Sequence, residues 1–277
     1  ITGLVIIVTA SCLSALSGLQ RGIKWLSNIN MGLSIFLVLF FVVFGATLFA
    51  VKSFGYAIWD YLLALPSMST TVWNNPDTEM GAALQNWQGA WNIFYWAWWI
   101  AFAPFVGLFL ARVSRGRTVR EYVLGAMIIP SLICLVWFTF IGATAIDLEL
   151  RGIAQGAIVN ADISAQLFKT INLILSPELA IALSVVVVTL LLTFLVTSAD
   201  SGILIINTLA SGGDQSQKQA VHVIIWGLIF AVLVAVLLAA GGMNALRSAM
   251  IVGALPFSLV MALMTISMIK ALVLDRD

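Results

Sequence analysis

Residues Phe94 to Phe105, "FYWAWWIAFAPF", place three tryptophans, a tyrosine and three phenylalanines in twelve positions without a charge. In a helix, residues three and four apart share a face. Tyr95, Trp99 and Phe102 then form one stripe, and Trp98, Phe102, Phe105 and Phe109 form a second. Two adjacent aromatic faces can line a cavity. The negative π face of a ring attracts a cation by about 0.5 to 1 kcal/mol when exposed and about 2 kcal/mol or more when desolvated, which suits quaternary ammonium groups. Such a head needs no hydrogen-bond partner, so rings can replace the water around it. Plain helix packing by aromatics is the alternative, and Trp91 and Trp96 also fit a belt at the lipid headgroups. Trp98, Trp99 and Phe102 lie deeper, roughly 10 to 16 Å into the helix at 1.5 Å per residue. Pro104 lacks an N–H and frees the carbonyl of Ile100, which marks either a kink between packed helices or a polar cavity.

The second stretch is "TFLVTSADSG", Thr193 to Gly202. Thr193, Thr197 and Ser201 recur at helical spacing, and Phe194 stands one turn before Ser198. Hydroxyls and loosened backbone carbonyls are the hard oxygen ligands that a small alkali cation prefers. Serine and threonine in membrane helices also simply bond back to the preceding turn or to a neighbouring helix. Asp200 adds a carboxyl within an apolar segment, at a cost of about 2.5 to 3.5 kcal/mol on insertion scales, which points to a function with a partner. The alternative is that Gly202 breaks the helix and brings Asp200 to the cytoplasmic surface as a cap or gate contact.

These residues need apolar helices to hold them, and the composition supplies them. The chain is 62% hydrophobic and 9% charged, with a mean hydropathy of +1.09, against roughly 25% charged residues in soluble domains. Runs longer than the about 18 residues of a spanning helix make this an all-α integral membrane protein. Spans are expected at Ile1–Leu19, Met31–Val51, Trp91–Val113, Val119–Ile146, Ser176–Ala210, Lys218–Ala240 and Leu246–Leu274. A short interfacial segment is expected at Tyr56–Leu63, a polar loop at "WNNPDTEMGAALQNW", and a longer loop at Asp147–Lys169. Because Ile1 already lies in an apolar run, the chain is expected to be the later part of a longer polypeptide.

Alternating the spans puts Arg21, Lys24, Arg112, Arg115, Arg117, Arg120, Lys218, Lys270 and Arg276 on one side. Only Lys52, Arg151, Lys169 and Arg247 fall on the other. The richer side is cytoplasmic by the positive-inside rule, in a multi-pass membrane protein. A net charge of +1 with no basic patch gives no support to nucleic-acid binding. Cys12 and Cys134 suit packing, with neither a disulfide framework nor metal-ligand spacing, and His222 suits an interfacial position. No nucleophile stands with a base, and no acid cluster suits a metal, so an enzyme is not expected.

"FYWAWWIAFAPFVGLFLARVSRGRTVREY", "FLVTSADSGILIINTLASGG" and "SALSGLQRGIKWLSNINM" together resemble the betaine/carnitine/choline transporter family, over almost the whole chain. The resemblance implies a LeuT-like fold of inverted five-helix repeats and a homotrimer. Residues 1–90 would hold the last helices of the first repeat and an extracellular loop, and 91–277 the five transmembrane helices of the second. It puts Trp98, Trp99 and Phe102 in a substrate cage, with Trp96 toward the extracellular entrance. Phe105 falls at one sodium contact, while Phe194, through its carbonyl, and Thr197 and Ser198 fall at another. Phe109 and Asp200 would gate or couple.

Phe102 stands where many members carry tryptophan or tyrosine, and a phenylalanine is the weaker cation–π partner, so a sulfonium substrate is as reasonable as betaine. Val106 stands where sodium-independent exchangers carry methionine, which favours sodium coupling. The expectation is a secondary active transporter importing a quaternary-ammonium or sulfonium osmolyte by alternating access, with sodium as coupling ion and no other cofactor. A proton-coupled choline importer and a sodium-independent carnitine-type exchanger are the alternatives.

Overall fold

A computed structural model describes residues 2–17, 24–212 and 220–274, with backbone only for Thr2, Ser17, Phe105, Phe109, Arg112, Val113 and Leu272. Arg21, Lys218 and Arg276 of the basic tally lie outside the described residues. Every element among the described residues is helical: α1 (Thr2–Ser17), α2 (Lys24–Phe44), α3 (Thr47–Thr70), α4 (Glu79–Gln88), α5 (Phe94–Val113), α6 (Val119–Val123), α7 (Ile129–Leu150), α8 (Gln166–Ile174), α9 (Pro177–Ala210) and α10 (Ala220–Leu274). Single π-helical turns, Gly89–Ile93 and Leu124–Ile128, carry α4 into α5 and α6 into α7. Five segments are long and apolar enough to cross a membrane: Lys24–Phe44, Thr47–Thr70, Val119–Leu150, Pro177–Ala210 and Ala220–Ala271. Leu48, Val252 and Leu255 are among many large apolar side chains left exposed, as lipid rather than water requires. The protein is a multi-pass membrane protein.

At 55 residues, α10 would run about 80 Å if straight, more than twice a hydrocarbon core of about 30 Å. It does not run straight. Gly241 and Gly242 leave helical geometry, Gly242 at φ 60° and ψ −142°, a conformation open to glycine and strained for any other residue. This kink agrees with the two spans expected on either side of it.

The chain divides into two compact units, one made of Ile1–Ile6, Thr70–Arg117 and Gly202–Asp277, the other of Ile7–Ser69 and Thr118–Ser201. In the second, α2, α8 and α9 meet in a core of Leu37, Phe41, Ile171, Ala180, Leu183, Val187 and Leu190, covered by Trp137 and Phe140 of α7. Ala180, Leu183, Val187 and Leu190 repeat every three or four residues, so they present one stripe of α9. In the first unit, α5 and the second half of α10 lie against each other, with Arg247 over the ring of Phe94.

Four sequence expectations shift, the last being the loop expected at Asp147–Lys169, which is helical to Leu150 and again from Gln166. The span expected at Met31–Val51 starts at Lys24 and stops at Phe44. Gly45 is the cause: its α-carbon lies so close to the Phe41 carbonyl and the Thr144 hydroxyl that a β-carbon would collide with both. Thr144 Oγ1 donates to the Phe140 carbonyl at 2.7 Å and accepts the Ala46 N–H at 3.2 Å, and Thr47 Oγ1 donates to the Val42 carbonyl. The side chains thus satisfy the polar groups that the helix end frees. Second, Tyr56–Leu63 is the middle of the 24-residue α3 rather than a short segment. Third, half of the expected polar loop is α4, because Thr78 caps it by accepting the Gly81 N–H at 3.0 Å.

The loop after α7 is organised by Glu149, whose carboxylate accepts the N–H groups of Gly156, Ile158 and Val159 at 2.8, 2.9 and 2.9 Å. The close approach at Gly45 sets a test. Gly45→Ala should cost about 1 to 3 kcal/mol of stability through overpacking, read as a lower thermal unfolding midpoint of the detergent-solubilised protein; an unchanged midpoint would show that the junction yields freely.

Candidate functional site

The aromatic helix opens on its π-helical turn, an inserted residue that re-aims the rings following it. Trp91 stacks on Tyr95 at 5.6 Å and 13°. Tyr95 meets Trp98 at 5.8 Å, and Trp98 stacks on Trp99 at 6.4 Å and 22°. Phe94 joins edge-on to Tyr95 at 5.5 Å and tilted to Trp98 at 5.9 Å. Tyr95 and Trp99 of one expected stripe and Trp98 of the other thus join Trp91 in one ladder. Offset stacking with centroids this far apart is what ring quadrupoles favour.

Trp87, Trp91, Asn92, Tyr95, Trp96 and Trp99 line a cavity of about 510 Å³. Trp96 and Trp99 are brought together on its wall and remain 70% and 62% exposed, so their π faces are open to a ligand. Trp98 and Phe102, at 42% and 41%, do not line that cavity; Trp98 backs Trp99 from the neighbouring face. A second cavity of about 490 Å³ lies between α5 and α10, lined by Asn92, Ile93, Trp96, Ala97 and Ile100 from one side and Ile251, Ala254, Leu255 and Ser258 from the other. Trp96 borders both cavities. The backbone carries Phe105 and Phe109 on α5, and their side chains lie outside the described residues.

The hydroxyl cluster belongs to the other unit. There α9 runs unbroken through Gly202 to Ala210, so the expected break is corrected: one glycine costs a helix only about 1 kcal/mol, too little to end it. Asp200 is fully buried instead of surfacing. The Ser14 hydroxyl lies 2.6 Å from its Oδ2 and the Ser201 hydroxyl 3.1 Å from its Oδ1. One turn earlier, Ser11 Oγ reaches the Val196 carbonyl at 3.3 Å while bonding its own helix at Ile7, 2.7 Å away. Pairs of this kind supply the internal partners that buried polar groups need.

Thr193 Oγ1 donates to Asn30 Oδ1, and Asn30 Nδ2 donates to Thr197 Oγ1 at 3.4 Å. Thr197 Oγ1 also donates to the Phe194 carbonyl at 2.9 Å. Two of the expected ion ligands, the Phe194 carbonyl oxygen and the Thr197 hydroxyl, are thus within reach of each other. Ser198 stands exposed on an adjacent part of the helix. Asn30, Ser11 and Ser14 were not expected at this site. Their signal was available as polar residues on otherwise apolar helices, and Asn30 is 7% exposed; only the fold shows which of α9's hydroxyls they meet.

A profile of the BCCT, betaine/carnitine/choline family transporter, matches residues 1–277. The glycine betaine transporter OpuD of Bacillus subtilis is 39% identical over 274 residues, 99% of this chain and 51% of its own. An ectoine/hydroxyectoine transporter of Virgibacillus pantothenticus is 39% identical over 261 residues, covering 94% and 50%. A glycine betaine/proline/choline transporter of Vibrio parahaemolyticus is 36% identical over 272 residues, covering 97% and 46%. The chain spans about half the length of these relatives. With the profile matched from end to end and the tryptophan-rich helix folded as a continuous ladder of rings, the chain belongs to the betaine/carnitine/choline family of transporters.

Proposed function

We propose that the protein carrying this chain is a secondary active transporter that imports a quaternary-ammonium or sulfonium osmolyte of the glycine betaine type. The observation that carries the reading is the ladder Trp91, Tyr95, Trp98 and Trp99, with the Trp96 and Trp99 faces open on a cavity of about 510 Å³. An onium head has its charge spread beneath methyl groups and offers no N–H donor, so stacked π faces suit it better than carboxylates would. Relatives named for glycine betaine transport support the same ligand class.

Sodium is the proposed coupling ion, taken by the Phe194 carbonyl, Thr197 and Ser198, with Phe105 at a second position. The Thr197-to-Phe194 hydrogen bond would give way to a cation sharing both oxygens, and Asn30 would hold Thr197 meanwhile. Each charge moving inward gains about 2.3 kcal/mol per 100 mV. Transport would proceed by alternating access of two inverted repeats, with residues 91–277 as the second repeat, in a homotrimer. Trp98 and Phe102 complete the cage in this reading, and Phe109 and Asp200 gate or couple it. Proton-driven uptake is the second reading, favoured by the fully buried carboxyl of Asp200 with hydroxyls as its hydrogen-bond partners.

Two measurements on the intact protein in proteoliposomes follow. Trp99→Ala should abolish uptake of labelled glycine betaine, since it removes the most open ring of the ladder; wild-type-like uptake would remove the cage. Thr197→Ala combined with Ser198→Ala should raise the sodium concentration for half-maximal uptake by about tenfold or more, the scale of losing a charge-assisted contact. An unchanged sodium dependence counts against this ion site; full uptake with potassium replacing sodium excludes sodium coupling, and its loss on adding a protonophore then selects the proton reading over exchange.

A further inference from the structure

Arg247 and Lys270 are the basic residues of α10 besides His222; Arg247 stands exposed five residues past Gly242, where the second half of α10 begins. The guanidinium of Arg247 lies 5.1 Å from the centroid of the Phe94 ring. No carboxylate holds it: among the described residues the ion pair present is Arg151 with Asp147. Contact through a π face leaves the guanidinium's N–H donors without an acceptor there, and those donors form a fork that fits a carboxylate with two parallel bonds.

The position of Arg247 on α10 connects it to a cavity. Ile251, Ala254, Leu255 and Ser258 lie four, seven, eight and eleven residues further on, which is the same helical face. These residues form the α10 wall of the cavity of about 490 Å³, and Asn92, Ile93, Trp96 and Ala97, around Phe94, form the opposite wall. Arg247 therefore stands one turn from the lining, on the lining's own stripe, while the exposed indole of Trp96 borders the space. A cationic fork and an open π face at one cavity are complementary to a ligand that carries a carboxylate at one end and an onium at the other.

We propose that Arg247 is a specificity-determining residue that binds the carboxylate of a zwitterionic osmolyte at the α5–α10 cavity while the onium head lies on Trp96, the indole this cavity shares with the ring-lined one. The inference rests on the transport reading above and deepens it by assigning a residue to the carboxylate end: a cation lacking a carboxylate gains nothing from Arg247 and is repelled by its charge.

The test uses the intact protein and two ligands, glycine betaine and its methyl ester, whose added methyl removes the carboxylate charge, with half-saturating concentrations read from intrinsic tryptophan fluorescence. Arg247→Gln should raise the value for glycine betaine by about tenfold, the scale of a lost hydrogen bond to a charged group, while the methyl ester changes less than about twofold or binds better, the loss being confined to the carboxylate. Arg247→Lys keeps the charge without the fork and should restore part of the discrimination. Equal shifts for both ligands mean a packing role, and no shift for either means no contact; each overturns the proposal while leaving onium transport standing. Wild-type protein that binds neither ligand overturns the transport reading and this inference with it.

Discussion

Hydrocarbon offers no hydrogen bonds, and the structure follows from that single deficiency. Every backbone N–H and C=O at membrane depth must find its partner inside the chain, so the apolar runs fold as helices and the breaks fall where side chains can stand in for water. The junction after α2 illustrates the rule. Thr144 both donates and accepts there, and Thr47 takes a carbonyl that the helix end leaves free. The polar residues of α9 obey it too, since Thr193, Thr197 and Ser201 each bond to a carbonyl of the preceding turn.

The same deficiency governs ligands. A metal-sized cation entering the bilayer must exchange water for oxygen, and α9 offers carbonyl and hydroxyl oxygens on neighbouring turns, steadied by Asn30 from α2. A methylated onium cannot use oxygen so directly, because its methyl groups keep donors and acceptors at a distance. Rings suit it, and α5 stacks them in one ladder with two indoles left open on a cavity. Oxygen-bearing and ring-bearing surfaces are thus built on separate helices.

Buried polar contacts between helices also confer register. Ser11, Ser14 and Asn30 reach α9 at Val196, Asp200, Thr193 and Thr197, positions spread over two turns. Hydrophobic packing alone tolerates sliding, because one apolar side chain replaces another at small cost. A carboxyl that is fully buried does not tolerate it, since a slip by one turn would leave it unpartnered in a medium that cannot solvate it.

How much of this was legible in the residues themselves differs from feature to feature. Composition and run length determined that the chain is all-helical and membrane-spanning, and period-3.6 spacing determined which aromatics share α5 and which hydroxyls share α9. The pair of spans about the glycines at 241 and 242 was legible as well, because only glycine escapes the helix so cheaply. The end of α2 at Phe44, the length of α3 and the start of α4 were not, since each depends on a side chain such as Thr144, one hundred residues away, or on a cap competing with an apolar run. The tertiary structure alone decided that Asn30 meets Thr193, that Ser14 meets Asp200, and that Arg247 lies over Phe94. Spacing along a helix states which residues face the same way; it carries no information about what stands opposite, because that partner is brought there by the packing of helices distant in the chain.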